Sequence, residues 1–255
     1  VSFKKAVEIW SPYRWFIERD YAAALTEAYF YNPELIPKED VVLALKAMED
    51  STSRHPRDAY GHYALVDMYN QAAEIDPENY VAAAERHGAI ALELSPNRQQ
   101  VLFSLAKTKS LKNDIKGALE ISKQALDLNP EVADAHFYYG LFLHVDGQTD
   151  LSYEHLKRAN ELGRKWKNFN EPLVVGNFFA DSGRLEEAIE LYKVAEKMDQ
   201  NALEVKMKLG IAYYFNDQKD LAKEKILEVM KVFDLTKSDV YESVLPILRD
   251  LDLVN

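Results

Sequence analysis

The sequence predicts an all-α fold of stacked helix pairs, and three observations predict it. Small residues recur in register at a period near 34 residues. Turn-forming dipeptides fall at the same place in successive periods. The chain of 255 residues holds only 9 Gly and 9 Pro, which argues against an all-β protein with many tight turns.

The recurrence is visible by superposition. Residues 105–130 (LAKTKSLKNDIKGALEISKQALDLNP) align with 139–163 (YGLFLHVDGQTDLSYEHLKRANELG) at an offset of 34. A small residue near the start of each second helix falls at Ala44, Ala84, Ala118, Ser152, Ala188 and Ala222, in steps of 40, 34, 34, 36 and 34. A second small or slender position, with the same steps, falls at Ser51, Ala91, Ala125, Ala159, Ala195 and Val229. A third falls at Val66, Ala106, Gly140, Gly176 and Gly210. Pro56, Pro96 and Pro130 each close a unit. Small residues belong where the two helices of a pair cross, so that their backbones approach. Larger residues such as Leu105, Ile121, Tyr192 and Leu209 then fill the space between neighbours. A pair cannot bury its apolar face alone, so neighbours stack into a solenoid with a continuous core.

The elements follow in order. Phe3, Ala6, Val7 and Ile9, then Ser11-Pro12, match the second helix of a repeat and its exit, so 1–12 reads as a half repeat. With Val at position 1, that start suggests a segment cut from a longer protein. Six full units follow at 13–56, 59–96, 99–130, 133–164, 169–200 and 203–234. Asn113-Asp114, Asp146-Gly147, Ser182-Gly183 and Asn216-Asp217 mark turns within pairs, where left-handed or capping conformations are needed. The extra residues of 59–96 fall around 72–79, and two more fall between units near 164–167. A last helix at 238–250, striped by Val240, Val244, Ile247 and Leu251 and interrupted by Pro246, reads as the cap on the final apolar face.

These columns resemble the tetratricopeptide repeat, the 34-residue helix–turn–helix unit. The resemblance covers nearly the whole chain. It implies a right-handed α-α superhelix of about six helix pairs plus the half repeat and the cap. It also implies that the first helices line a concave, partner-binding face.

Composition narrows the function. With 31 Lys and Arg against 42 Asp and Glu, the net charge is −11, which opposes non-specific nucleic-acid binding because that needs a cationic surface. The absence of Cys excludes disulfides, thiolate catalysis and Cys-type metal sites. No run of 18 apolar residues occurs to span a bilayer. There is no HExxH, GxGxxG, P-loop or GxSxG, and no cofactor, metal or catalytic residue is expected. His136 and His144 share a helix and read as partly exposed polar residues. The aromatic stretches 13–16 and 29–31 read as core, and Glu186-Glu187 as a helix start favoured by the macrodipole. Two basic clusters stand out in this acidic chain: Lys107, Lys109, Lys112 and Lys116, and Arg164, Lys165 and Lys167 around Trp166. They read as solvated faces, with contact to an acidic partner or anionic headgroups as the sharper alternative.

On the resemblance, the second, fifth, ninth and twelfth positions of each first helix point into the groove. The expected partner-binding residues are therefore Tyr63, Phe103, Lys107, Phe137, Leu141, His144, Leu173, Asn177, Met207 and Ile211. Chaperone-binding members of the family hold a peptide carboxylate with Lys and Asn at fixed groove positions. Here Asn177 stands without its Lys partners, and such a clamp is excluded. The strip is apolar, with Phe103, Phe137, Leu141 and Leu173 as expected anchors and Asp67 and Glu204 towards its ends. An exposed strip of this kind implies a protein or peptide partner, one with central apolar residues and an acidic residue near Lys107. The opposite outcome is a strip covered by flanking helices or by the N-terminal segment.

Segments 3–25 (FKKAVEIWSPYRWFIERDYAAAL) and 92–107 (LELSPNRQQVLFSLAK) are similar to the repeat-bearing tails of bacterial O-antigen ligase or polymerase-like membrane proteins. That resemblance implies a soluble tail at the cytoplasmic or periplasmic face of a bacterial inner membrane. Membrane contact and family chemistry would then lie in a region upstream. The alternative is a structural spacer or accessory subunit of a cell-envelope or secretion assembly.

Overall fold

The computed structural model describes residues 14–238 and 240–254. The half repeat read at 1–12 lies outside the described residues. Among those described there are thirteen α-helices, one short 3₁₀ helix and no strand. The chain divides into two compact units, 1–148 and 149–255.

The first unit contains α1 (Arg14–Tyr31), α2 (Lys38–Arg54), α3 (Ala59–Gln71), α4 (Pro77–Leu94), α5 (Gln99–Leu111), α6 (Ile115–Leu128) and α7 (Ala133–Val145). The second contains α8 (Thr149–Glu161), α9 (Asn170–Asp181), α10 (Leu185–Met198), α11 (Leu203–Phe215), α12 (Lys219–Met230), the 3₁₀ helix Leu235–Lys237 and α13 (Tyr241–Asp250). Within each unit the packing repeats one pattern. A first helix contacts its own second helix and the first helix of its neighbour, as α5 does with α6 and α7, and α9 with α10 and α11.

Local chemistry starts and stops these helices. Asp58, Asp76 and Asp114 accept hydrogen bonds from Tyr60, Asn79 and Gly117 amides, capping α3, α4 and α6. Pro77 opens α4, where its missing N–H costs nothing. Each three-residue turn within a pair contains one left-handed residue: Asn113 (φ 60°), Gly147 (81°), Gly183 (74°) and Asp217 (56°). The next amide donates back across the helix end, from Asp114 to the Lys109 carbonyl and from Gln218 to that of Tyr213, both at 2.9 Å. These bonds satisfy carbonyls that a helix terminus leaves open.

All three small-residue columns are buried. Ala44, Ala84, Ala118, Ala188 and Ala222 have no exposed surface, and Ser152 has 1%. Gly176 and Gly210 of the third column are required by close approach. A Cβ on Gly176 would stand 2.6 Å from the Tyr192 ring, and one on Gly210 would stand 2.8 Å from Ile226. Tyr192 and Ile226 are themselves fully packed and have nowhere to move. The connection in 59–96 lies at 72–76, between α3 and α4.

Two expectations need correction. In α13 the buried stripe is Val244, Ile247, Leu248 and Leu251, while Val240 is 48% exposed just ahead of the helix. The helix starts three residues later than the apolar spacing suggests, which leaves Val240 outside the packed face. In 29–31, Tyr29 is core but Phe30 is 56% exposed, because successive residues of a helix point about 100° apart.

Candidate functional site

The expected groove residues divide between the units. Tyr63, Phe103, Lys107, Phe137, Leu141 and His144 stand on α3, α5 and α7 of the first. Leu173, Asn177, Met207 and Ile211 stand on α9 and α11 of the second. Four of the ten are core: Leu173 (3% exposed), Phe137 (4%), Phe103 (5%) and Met207 (8%). The expectation that Phe103, Phe137 and Leu173 are open anchors is therefore corrected. The Phe103 ring packs on Tyr138 with centroids 4.9 Å apart, and Phe137 meets the same ring edge-on at 5.2 Å. Large rings at adjacent first-helix positions lose more water against each other than they would in an open groove. Tyr63, Lys107, Leu141, His144, Asn177 and Ile211 remain half-exposed.

The polar groups on these faces are committed to the structure. Asp67 accepts from Ser104 at 2.5 Å and bonds the Tyr63 hydroxyl. Burial, and then the Asp67 charge, push the Tyr63 phenol well above its ordinary pKa. Asn70 donates to the Ser104 carbonyl at 2.8 Å and accepts from Thr108 at 2.9 Å, which joins α3 to α5. Lys107 lies 4.9 Å from the Tyr138 ring centroid. In the second unit Asn177 accepts from Tyr192 at 2.8 Å, so its amide oxygen is engaged inside its own pair.

Both basic clusters are partly neutralised from within the chain. Lys109 and Lys112 both donate to Glu85, each at 2.9 Å. Burial alone would raise the Glu85 pKa, but these two bonds hold it below the usual carboxylate range. Arg164 is buried against Glu171 at 3.0 Å and faces Trp166 at 5.4 Å. The cause in both cases is a carboxylate distant from the basic run in sequence or set beyond its end.

A histidine pair was not anticipated. His62 and His87, both buried, bring their Nδ1 atoms to 2.8 Å. His62 Nε2 is 3.2 Å from the Pro56 carbonyl, which only accepts, so Nε2 carries the proton and Nδ1 is the acceptor. His87 Nδ1 is then the donor, and its bare Nε2 faces the Arg86 guanidinium at 3.5 Å. Burial, then His62 and Arg86, lower the His87 pKa from 6.5 to about 4. One signal was legible: His62 follows Pro56 by the interval at which His136 follows Pro130. His136 Nε2 also meets its proline carbonyl, at 2.9 Å. The pairing of His62 with a residue 25 positions away was not legible.

The second unit ends in a cleft of about 460 Å³. Leu203, Met207 and Ile211 of α11 form one wall, and Val229, Phe233, Leu235, Val240 and Val244 form the other. Glu204 and Lys208 stand at its edge. Among the described residues neither has a charged partner, whereas Lys206 and Lys225 nearby are paired with Glu228. The described residues hold no group of three or more potential metal ligands, and no helix long and apolar enough to cross a membrane.

Small residues at the crossings and left-handed turns at a 34-residue period define a helical-repeat protein. The chain has the tetratricopeptide-repeat fold, and solved structures agree. PilW, a type IV pilus biogenesis factor, superposes with a TM-score of 0.63 at 15% identity, over 89% of this chain and 98% of that one. PilF of Pseudomonas aeruginosa gives 0.62 at 16% identity, over 90% and 97%. YrrB, described as a TPR protein with an unusual peptide-binding site, gives 0.51 at 19% identity, over 74% and 94%. Among curated proteins, a TPR repeat-containing protein of Methanocaldococcus jannaschii is 28% identical over 174 residues, covering 67% of this chain and 28% of its own length. Transcriptional regulator HilA of Salmonella typhimurium is 32% identical over 122 residues, covering 46% of this chain and 21% of its own. The chain thus spans between a fifth and three tenths of the length of these two relatives. No protein-family model matches it.

Proposed function

We propose that the chain is a protein-interaction scaffold, not an enzyme, that receives a peptide or protein segment on the faces of its first helices. The observation that carries this is the cleft at α11. It is an open, apolar cavity at groove positions of the last repeat. The peptide-binding site named for YrrB supports the same use of this fold. Tyr63, Lys107, Leu141, His144, Asn177 and Ile211 are the half-exposed first-helix residues for such contacts. Phe103, Phe137, Leu173 and Met207 support them from beneath.

A second reading, a spacer or accessory subunit of an envelope assembly, is favoured by the likeness to a pilus biogenesis factor. The narrower placement as the soluble tail of a membrane glycan-handling protein rests on segments 3–25 and 92–107, and the reading frame upstream of Val1 tests it. The interaction reading is tested by isolating a binding partner from the source organism and mapping the reconstituted pair by hydrogen exchange. Protection on α5, α7, α9 or α11 is expected. Protection confined to α6, α8, α10 or α12 replaces the groove reading with the spacer.

A further inference from the structure

The α11 cleft differs from the other first-helix surfaces in what it leaves unused. Phe233 and Val240 on its rim are 41% and 48% exposed, so apolar surface stays in water at the edge of an apolar cavity. We infer that this cleft seats a helical segment of a partner protein, one that carries apolar side chains a turn apart and, along their edge, a basic and an acidic residue one turn from each other. The inference rests on the interaction-scaffold reading and narrows it to one place and one chemistry.

The form of the occupant follows from the walls. One is the stripe Leu203, Met207 and Ile211, which runs about 12 Å along α11. The other is the end of α12, the 3₁₀ turn and the start of α13. Their main-chain groups bond locally, with Phe233 N–H donating to Val229, Ser238 to Leu235 and Ser243 to Val240. Among the described residues, no row of open N–H and C=O groups is left there to pair with an extended strand. A helix satisfies its own backbone and presents only side chains, so it loses no hydrogen bonds on entry.

The chemistry follows from the polar atoms. The Ser243 hydroxyl donates to the Val240 carbonyl at 2.7 Å, and the Ser238 hydroxyl accepts from the Val240 amide at 3.4 Å. Each already holds one bond within the turn, and the rest of the described lining inside the rim is apolar, which suits hydrocarbon side chains better than a polar small molecule. The charges are at the edge: Glu204 and Lys208 lie one turn apart on α11, without charged partners among the described residues. A partner helix lying along α11 meets them with a basic residue opposite Glu204 and an acidic residue one turn away, opposite Lys208. That arrangement fixes direction as well as register.

The test pans a library of helix-constrained peptides, randomised on one face, against the whole chain. Enriched peptides are then titrated by fluorescence anisotropy. The sequences expected carry two apolar residues three or four apart on one face, flanked along one edge by a base and an acid that are themselves one turn apart. The double variant Glu204→Lys/Lys208→Glu should weaken them at least tenfold. A peptide with its own two charges exchanged should regain that affinity on the double variant. Both substitutions lie at the surface, and an unchanged circular dichroism spectrum verifies the fold. Peptides that bind but ignore the charge exchange overturn the cleft and leave the scaffold reading standing. If neither this library nor an unconstrained one yields a binder, both fail. Saturable binding of a long-chain fatty acid that displaces the peptide and ignores the exchange assigns the cleft to an acyl chain. Self-association of the free chain that the exchange abolishes assigns it to a second copy. Either result overturns the proposal.

Discussion

The two units solve one packing problem with different chemistry. In the first, α3, α4 and α5 are joined by buried polar groups: the Asn70, Ser104 and Thr108 bonds and the His62–His87 pair. The second has no such histidine pair among its described residues, and its helix pairs close chiefly by the steric fit that Gly88 and Leu105 also provide in the first: Gly176 on Tyr192 and Gly210 on Ile226. Half-buried ion pairs then hold the edges: Lys225 with Glu196 at 2.8 Å, and Lys206 with Glu228 at 2.7 Å. The repeat therefore specifies a distance between backbones and leaves open how the joint is satisfied. Polar joints are directional and sensitive to protonation. Steric joints tolerate acid but not an added methylene.

That contrast can be broken or sharpened in four ways, from the largest effect to the smallest. Gly176→Leu should cost about 3 kcal/mol, because the Tyr192 ring cannot give way. Hydrogen exchange should show the loss among α9–α11 amides, and an unchanged unfolding midpoint would mean that the joint can relax. Acidification should act on the first unit. The folded His87 pKa lies near 4, below its ordinary 6.5, so the unfolded chain binds more protons between those values. The stabilisation is complete above pH 6.5 and is lost as pH falls towards 4, by about 2–3 kcal/mol. Glu85 and Glu228 are held below the usual carboxylate range by their lysine partners. A pH series of urea melts should show this slope, and His62→Phe/His87→Phe should flatten it. An unaltered slope in the double variant would assign the acid sensitivity elsewhere.

Asn70→Leu should cost about 1–2 kcal/mol by stripping Thr108 and Ser104 of a partner, measured by denaturant unfolding. A neutral result would show that an apolar joint serves equally well at α3–α5, which erases the distinction between the units. The smallest effect is that of salt. One molar NaCl should weaken the second unit by about 0.5–1 kcal/mol through the Lys225 and Lys206 pairs. A larger loss would mean that ion pairs, and not steric fit, hold that unit.

The groove shows where sequence reading stopped. The positions of Phe103 and Phe137 on first helices were legible, but their exposure was not. Whether a ring at such a position meets water or Tyr138 depends on which rotamer its neighbours leave open. The Lys109–Lys112 run likewise looked cationic until Glu85, more than twenty residues earlier, was brought against it. The α11 cleft had partial signals in Glu204, Met207 and Ile211. Its far wall comes from the turn and cap after α12, whose placement no periodicity encodes.

What the sequence determined by itself is the repeat: small residues at steps near 34 residues, a left-handed residue in each three-residue turn, and aspartates at helix starts. These are local or periodic constraints, in which each residue type is selected by the geometry of its own helix or crossing. What only the tertiary structure decided is which side chains meet across helices: the two histidines, the carboxylates that neutralise the lysines, and the apolar walls of the cleft. Such meetings depend on the angle and register at which one helix lies on the next. Many side-chain combinations meet the same backbone spacing, so the spacing alone does not choose among them.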